Sequence, residues 1–384
     1  MTLRCVVGLS AWLLCASVGA HAQSPGVART ATERAVAERH AAHCHSLYLA
    51  CTQAAHTLLA AVDTLLAEPR VETLAAARAA WIDARTVYGE TEALRFHGGP
   101  IDELEPLLNA WPLDEAYIDH VIGRPDAGIV HDPVRFPNLS QALLETANER
   151  GGETNVSVGW HAIEFLLWGQ DLRANGPGDR PFTDYADDDD PIVRRRRAYL
   201  RIATATLVAH LQRLVDAWAP DRDNFRRRFV NAPADAVRRM LTGTAILTAF
   251  ELCGERLAVA YETQDQEQEH SCFSDTTHLD FVADQRGIVA VFDGGRATSG
   301  GPCLLDLVRA RDAAIADHLA AALAATTAAM QAIPAPFDQA FLGAEDAPGR
   351  VALRAVMAAL DTQAEAIAIA GRLLGHDLPM RPGE

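Results

Sequence analysis

The stretch Gly159-Trp160-His161-Ala162-Ile163-Glu164-Phe165-Leu166-Leu167-Trp168-Gly169 is apolar almost all the way round. Written as a helix, it has no face for water and is stable only where other elements cover every side. The rest of the chain must therefore supply a jacket. Two residues break the apolar pattern, His161 and Glu164, and they share a helical face at i and i+3. A buried imidazole and carboxylate need partners, because an unpaired ionised group in a core is costly. They point together at a metal, a substrate or a closed hydrogen-bond network.

The jacket reads as helices. Apolar residues recur at helical spacing over residues 32–68, 71–96, 113–121, 139–149, 192–218, 221–231, 234–261, 278–292, 304–333 and 351–374. Pro69 and Gly98-Gly99-Pro100 punctuate them, Ser157 is placed to cap the His161 helix, and Gly169 to end it. The Asp187–Asp190 run before Pro191 reads as a helix start. Val289–Phe292 is the one run with strand character. The expected fold is all-α, two packed helical bundles. Residues 23–221 form the first and 222–384 the second. Their similar layouts suggest an old duplication, without a strict period.

Residues 1–22 read as an export leader: Arg4, an apolar run from Val6 to Val18 too short to span a bilayer, and the cleavage site Ala20-His21-Ala22. The mature protein is then exported and periplasmic; attachment at the outer membrane is left open. No later segment is read as a transmembrane helix. Five cysteines remain after cleavage, and Cys253 with Cys272 is the expected pair, since Cys44 and Cys51 on one helix would be about 10 Å apart. The formal charge of −17 excludes a non-specific nucleic-acid binder. The chain has no lysine, which removes Walker-type phosphate loops and lysine catalysis.

Three other segments carry candidate chemistry. Arg85, Tyr88, Glu92 and Arg95 fall along one stripe of the helix expected over 71–96, as a solvated face or as part of a site. Asp114, in Trp111-Pro112-Leu113-Asp114-Glu115, fits a helix cap or a metal ligand. Glu269-His270-Ser271-Cys272-Phe273-Ser274-Asp275-Thr276-Thr277-His278 mixes hydroxyls, carboxylates and imidazoles before a helix, where Asp275 or Thr276 fits a cap and His278 the first turn. The order His161-x-x-Glu164 is neither the H-E-x-x-H of zinc proteases nor the Glu-x-x-His of di-iron bundles. No nucleophile elbow is present.

Taken together, Gly159–Glu164 in its long form through Asp171, the loop Gly178–Tyr185, Trp111–Glu115, Tyr88–Phe96 and Glu269–His278 resemble the imelysin family of exported bacterial proteins, in the same order along the chain. The resemblance implies two helical bundles with the G-x-H-x-x-E motif near the cleft between them. It implies a role in iron acquisition or handling, with a small ligand or metal ion (iron, zinc or manganese) and other iron-uptake proteins of the periplasm as partners. His161, Glu164, Glu92 and Asp114 are the expected metal ligands, with Asp275 a further candidate; Arg85, Tyr88, Ser274, Asp275 and His278 are expected around them. Two alternatives stand beside it. One is a metal-dependent peptidase with Glu164 as ligand or base. The other is a ligand- or partner-binding protein in which the His/Glu network is structural.

Overall fold

The computed structural model describes residues 25–173, 176–297 and 300–384; the expected leader, residues 1–22, lies outside them. Among the described residues there is no strand, only an isolated bridge between Val121 and Arg124. Nine helices build the body: α1 (Pro25–Ala67), α2 (Val71–Gly89), α3 (Pro100–Leu108), α4 (Trp160–Trp168), α5 (Pro191–Trp218), α6 (Pro233–Ile246), α7 (Thr277–Asp293), α8 (Ala313–Gln331) and α9 (Pro348–Leu374). The first bundle packs α1 against α2 and α5, with α4 between α2 and α5; the second packs α6, α7, α8 and α9. Helix α2 meets α7 and α1 meets α6, so the bundles lie flank to flank. One hydrophobic cluster runs through both, from Val36 to Leu374.

Local chemistry sets most boundaries as expected. Asp190 caps α5 by accepting from Ile192 N, with Pro191 in the first turn. Several expectations need correction. Helix α2 stops at Gly89, not near residue 96, and Glu92–Leu94 forms a separate 3-10 turn. Helix α7 crosses α2 here: a Cβ at Gly89 would lie 2.7 Å from Ala283 Cβ, so glycine is needed at the crossing. The Val289–Phe292 run is helical, inside α7. The helix expected over 304–333 breaks, because Asp312 caps α8 by accepting from Ala314 N and Ile315 N. Helix α6 continues as a π-helix over Leu247–Ala258 before closing as Val259–Thr263.

Two helices, Thr30–Ala67 and Ala313–Gln331, are long and apolar enough by length and composition to cross a membrane, contrary to the expectation from sequence. Alanine supplies much of that apolarity, and each helix packs one face into a bundle. Cys253 and Cys272 are free thiols, as are Cys44, Cys51 and Cys303, so the expected pair is not formed.

Candidate functional site

Every residue of α4 is buried. A buried helix must still satisfy its terminal carbonyls. The Leu166 carbonyl accepts from Tyr185 Oη, that of Leu167 from Arg78 Nε at 3.1 Å, and that of Trp168 from Arg180 N at 2.7 Å. The loop after α4 therefore caps it. Arg180 and Arg196 in turn hold the buried Asp119 at 2.9 and 2.6 Å. At the other end, Gly159 and not Ser157 is the cap residue; the Ser157 hydroxyl donates to Leu144 O. Gly159 has φ 91° and ψ −170°, and a Cβ there would lie 2.5 Å from Leu108 O. Gly159→Ala is expected to destabilise the protein by about 2–3 kcal/mol, read as a lowered urea midpoint with an unchanged slope.

Near the start of α4, His161 Nδ1 lies 3.0 Å from Glu164 Oε2. The other Glu164 oxygen, Oε1, accepts from Ser274 N at 2.9 Å and Ser274 Oγ at 2.7 Å. Burial holds the His161 imidazolium well below its usual range, with the charges of Arg85 and Arg256 adding. Burial pushes Glu164 up to about 8, against the pull of the Ser274 donors. The pair is a neutral hydrogen bond at pH 7, not an ion pair. His161 Nε2 is buried without a hydrogen-bond partner.

The ring of His270 stands beside it, centroid to centroid 4.8 Å. Arg85 Nη2 lies 3.2 Å from His270 Nδ1. A guanidinium only donates, so His270 carries its proton on Nε2. Arg85 also pairs with Asp280 at 3.0 Å and donates to Asn109 Oδ1. Asp280 accepts from Ser271 Oγ at 2.5 Å. From Asn109 the network reaches Glu92, which is gripped by Arg256 at 2.6 Å and Arg95 at 2.7 Å. Arg256 also binds Asp284 at 3.0 Å and Glu251 at 2.9 Å. Charge from α2, α7 and the π-helix is thus neutralised within the protein.

A cleft of about 400 Å³ opens onto this network. His270 and Arg256 reach it from inside, and Glu105, Glu149, Glu153, Glu251 and Glu255 make its wall acidic. Tyr88 packs on Trp160, ring centroids 5.3 Å apart, with its buried hydroxyl unpartnered.

The structure brings together His161, Glu164 and Ser274 directly, and Arg85, Tyr88 and Glu92 through the network. It does not assemble the four expected metal ligands. Glu92 is spent on two arginines, and Asp114 is exposed and caps Glu115–Ile118 by accepting from Ala116 N at 3.0 Å. Both Glu164 oxygens are committed. Three-residue groups suited to a metal do occur among the described residues, at Asp119–His120–His131 and at Asp171–Asp275–Asp338. Asp275 thus joins a cluster other than that of His161, and His278 sits half-buried in the first turn of α7, its Nδ1 unpartnered.

Sequence reasoning missed Asn109, Arg256, Asp280 and Asp284. Asp280 and Asp284, two acids at i and i+4 among apolar neighbours, were the available signal. Arg256 gave none: residues five apart sit about 140° apart on an α-helix, and only the π-turn sets Arg256 beside Glu251.

The family model for imelysin matches residues 45–367 of the chain. Iron-regulated protein A of Synechococcus elongatus is 24% identical over 302 residues, covering 76% of this chain and 73% of that protein. Two crystal structures share the fold. A protein assigned as an iron-regulated protein A precursor of Parabacteroides distasonis gives a TM-score of 0.68 at 16% identity, over 89% of this chain and 96% of that one. An imelysin-like protein of Psychrobacter arcticum gives 0.62 at 16% identity, over 91% and 98%.

Proposed function

The chain belongs to the imelysin family, and on that premise we propose that it is an exported protein of iron acquisition that holds its cargo at the His161–Glu164 centre. The observation that carries the reading is His161 Nε2, a buried nitrogen with no partner, beside a histidine that lines an acidic cleft. The iron-regulated naming of the relatives gives the direction. Carboxylates at the cleft wall gather a cation, and an imidazole nitrogen is a suitable ligand for iron, zinc or manganese. Arg85 and Arg256 oppose a bare charge at the centre. Their guanidinium charge is balanced by Asp280, Glu92 and Glu251, while burial holds Asp284 toward its neutral form.

Glu164 serves as the orienting partner of His161 and not as a ligand. With a cation on Nε2, the imidazole keeps its proton on Nδ1 and donates it to an ionised Glu164. The free pair, with Glu164 neutral, holds one proton more. Uptake below the Glu164 pKa of about 8 therefore releases one proton per site. The committed Glu164 oxygens also disfavour a peptidase, which needs a free carboxylate to take a proton from water.

Residues 1–22 would direct export, leaving Gln23 as the mature N-terminus, and other iron-uptake proteins of the periplasm would be partners. The experiment is titration of chelator-stripped protein with ferrous iron under argon, in two buffers of different ionisation enthalpy. Wild type is expected to take up about one ion per chain with release of about one proton at pH 7, and His161→Ala to bind about tenfold or more weakly. No saturable uptake by wild type, or uptake unchanged in His161→Ala, overturns the reading.

A further inference from the structure

Ser274 serves Glu164, but the next residue serves another cluster. Asp275 sits in the left-handed region at φ 58°. Its carboxylate oxygen lies within 4.8 Å of oxygens from Asp171, in the loop after α4, and Asp338, ahead of α9. All three residues are buried, and the buried Glu269 stands beside them as a fourth carboxyl group. Gln266 Nε2 donates to Asp338 at 2.9 Å and to Asp171 at 3.4 Å, and Arg173 N donates to Asp171 at 3.1 Å. The carboxyl oxygens of Asp275 and Glu269 make no hydrogen bond of ordinary geometry among the described residues, though Gly176 N acts on Asp275 and the Asp338 carboxyl on Glu269. The guanidinium acting on Asp171 and Asp275 is that of Arg173, half exposed and 3.8 Å from Asp179.

The Asp119–His120–His131 group differs on this point, because Arg180 and Arg196 already neutralise Asp119. Among the described residues no arginine ion pair answers the acidic cluster, and its carboxyls are driven toward their protonated forms. Burial, with the neighbouring carboxylates adding, pushes Asp171 up to about 6, Asp275 up to about 7 and Glu269 up to about 11. Buried carboxylates without hydrogen bonds or counter-charge are costly.

We propose that Asp171, Asp275 and Asp338, backed by Glu269, form a calcium site. The donors are all oxygens, which excludes the nitrogen- and sulfur-seeking metals as first choice. Their oxygens lie within 4.8 Å of one another, close enough to share one ion at calcium's bond length of about 2.4 Å. Magnesium prefers fewer protein carboxylates and retains its waters. The bound ion would pin the loop after α4, the segment carrying Ser274 and the segment before α9 to one point. It is a clamp on the geometry of Glu164, separate from the cargo nitrogen of His161.

The test is calorimetric titration of the chelator-stripped full chain with calcium chloride, together with thermal unfolding with and without the ion. Wild type is expected to bind about one calcium per chain and unfold at a higher temperature when loaded. Asp275→Asn removes an acid whose ionisation, above a pKa of about 7, the apo protein must bury. It is therefore expected to raise the apo unfolding temperature while weakening calcium binding about tenfold or more. The opposite signs separate a lost site from a damaged fold. His161→Ala, the variant that tests the iron reading, is expected to bind calcium as wild type does. Absence of calcium binding by wild type, binding unchanged in Asp275→Asn, or a larger thermal shift with magnesium or zinc than with calcium each overturns the proposal.

Discussion

Arg256→Met is expected to cost about 3–5 kcal/mol, because it breaks a buried ion pair with Glu92 and takes its donors from Glu251 and Asp284. Arg256 meets Glu92 at 2.6 Å, Glu251 at 2.9 Å and Asp284 at 3.0 Å, and both Glu92 and Asp284 are about 1% exposed. Methionine fills similar space and supplies no donor. Arg95 remains on Glu92 at 2.7 Å, so that acid keeps one partner; Asp284, which burial pushes well above the ordinary carboxylate range, loses the donor at 3.0 Å. Adding Glu92→Gln should recover part of the loss, since one stranded charge goes with it. The pH dependence has a definite sign. Arg95 and Arg256 outweigh burial and hold Glu92 down at about 2, below its ordinary 4.5. Its stabilisation is therefore present above pH 4.5 and is lost as pH falls toward 2, so the penalty of Arg256→Met should shrink in acid. Urea unfolding followed by tryptophan fluorescence at pH 7 and pH 4 reads both effects. A loss below about 1 kcal/mol at pH 7, the scale of an exposed pair, would mean that these charges are met by water.

The same residue shows where sequence reading stops. The apolar run of α4 announces a buried helix, and His161 with Glu164 announces its polar centre, because burial on all sides and i, i+3 spacing are local properties. The Ser274 segment is legible for a related reason: a dense mixture of hydroxyls and acids has to be answered somewhere. Arg256 looks like any arginine on a long helix until a π-turn rotates it. Glu92 looks like a member of the α2 stripe, but α2 ends at Gly89, where α7 crosses it, and Glu92 lies on a 3-10 turn. Asp338 is an isolated acid after the proline-rich link of residues 334–337, and only the fold sets it against Asp171 and Asp275. Each of these depends on which helix crosses which, a choice made by packing over the whole core and invisible in any short window.

Glu164→Gln should make the protein more stable at pH 8 than the wild type, by up to about 5 kcal/mol. Burial lifts the folded-state pKa of Glu164 to about 8, above its ordinary 4.5. A carboxyl raised in this way costs nothing below pH 4.5, and its stability is lost as pH rises through 8. Glutamine reproduces the neutral acid: its amide donates to His161 Nδ1 and its carbonyl accepts from Ser274, with no proton to lose. The stability difference between variant and wild type should therefore grow from pH 5 to pH 8 and then level. His161 works in the opposite sense, since burial holds it neutral below its ordinary 6.5. It costs stability only as pH falls below that value, and it is present in both proteins. Chemical unfolding of the two proteins across that range decides the matter; a flat difference would place Glu164 in a solvated setting. The gain has a functional consequence. Glutamine donates to Nδ1 and so fixes the imidazole proton on Nε2, the nitrogen assigned to iron. Glu164→Gln should then be the more stable protein and the one that fails to take up iron, the outcome expected if an acid is kept in this core for the proton it can accept from His161.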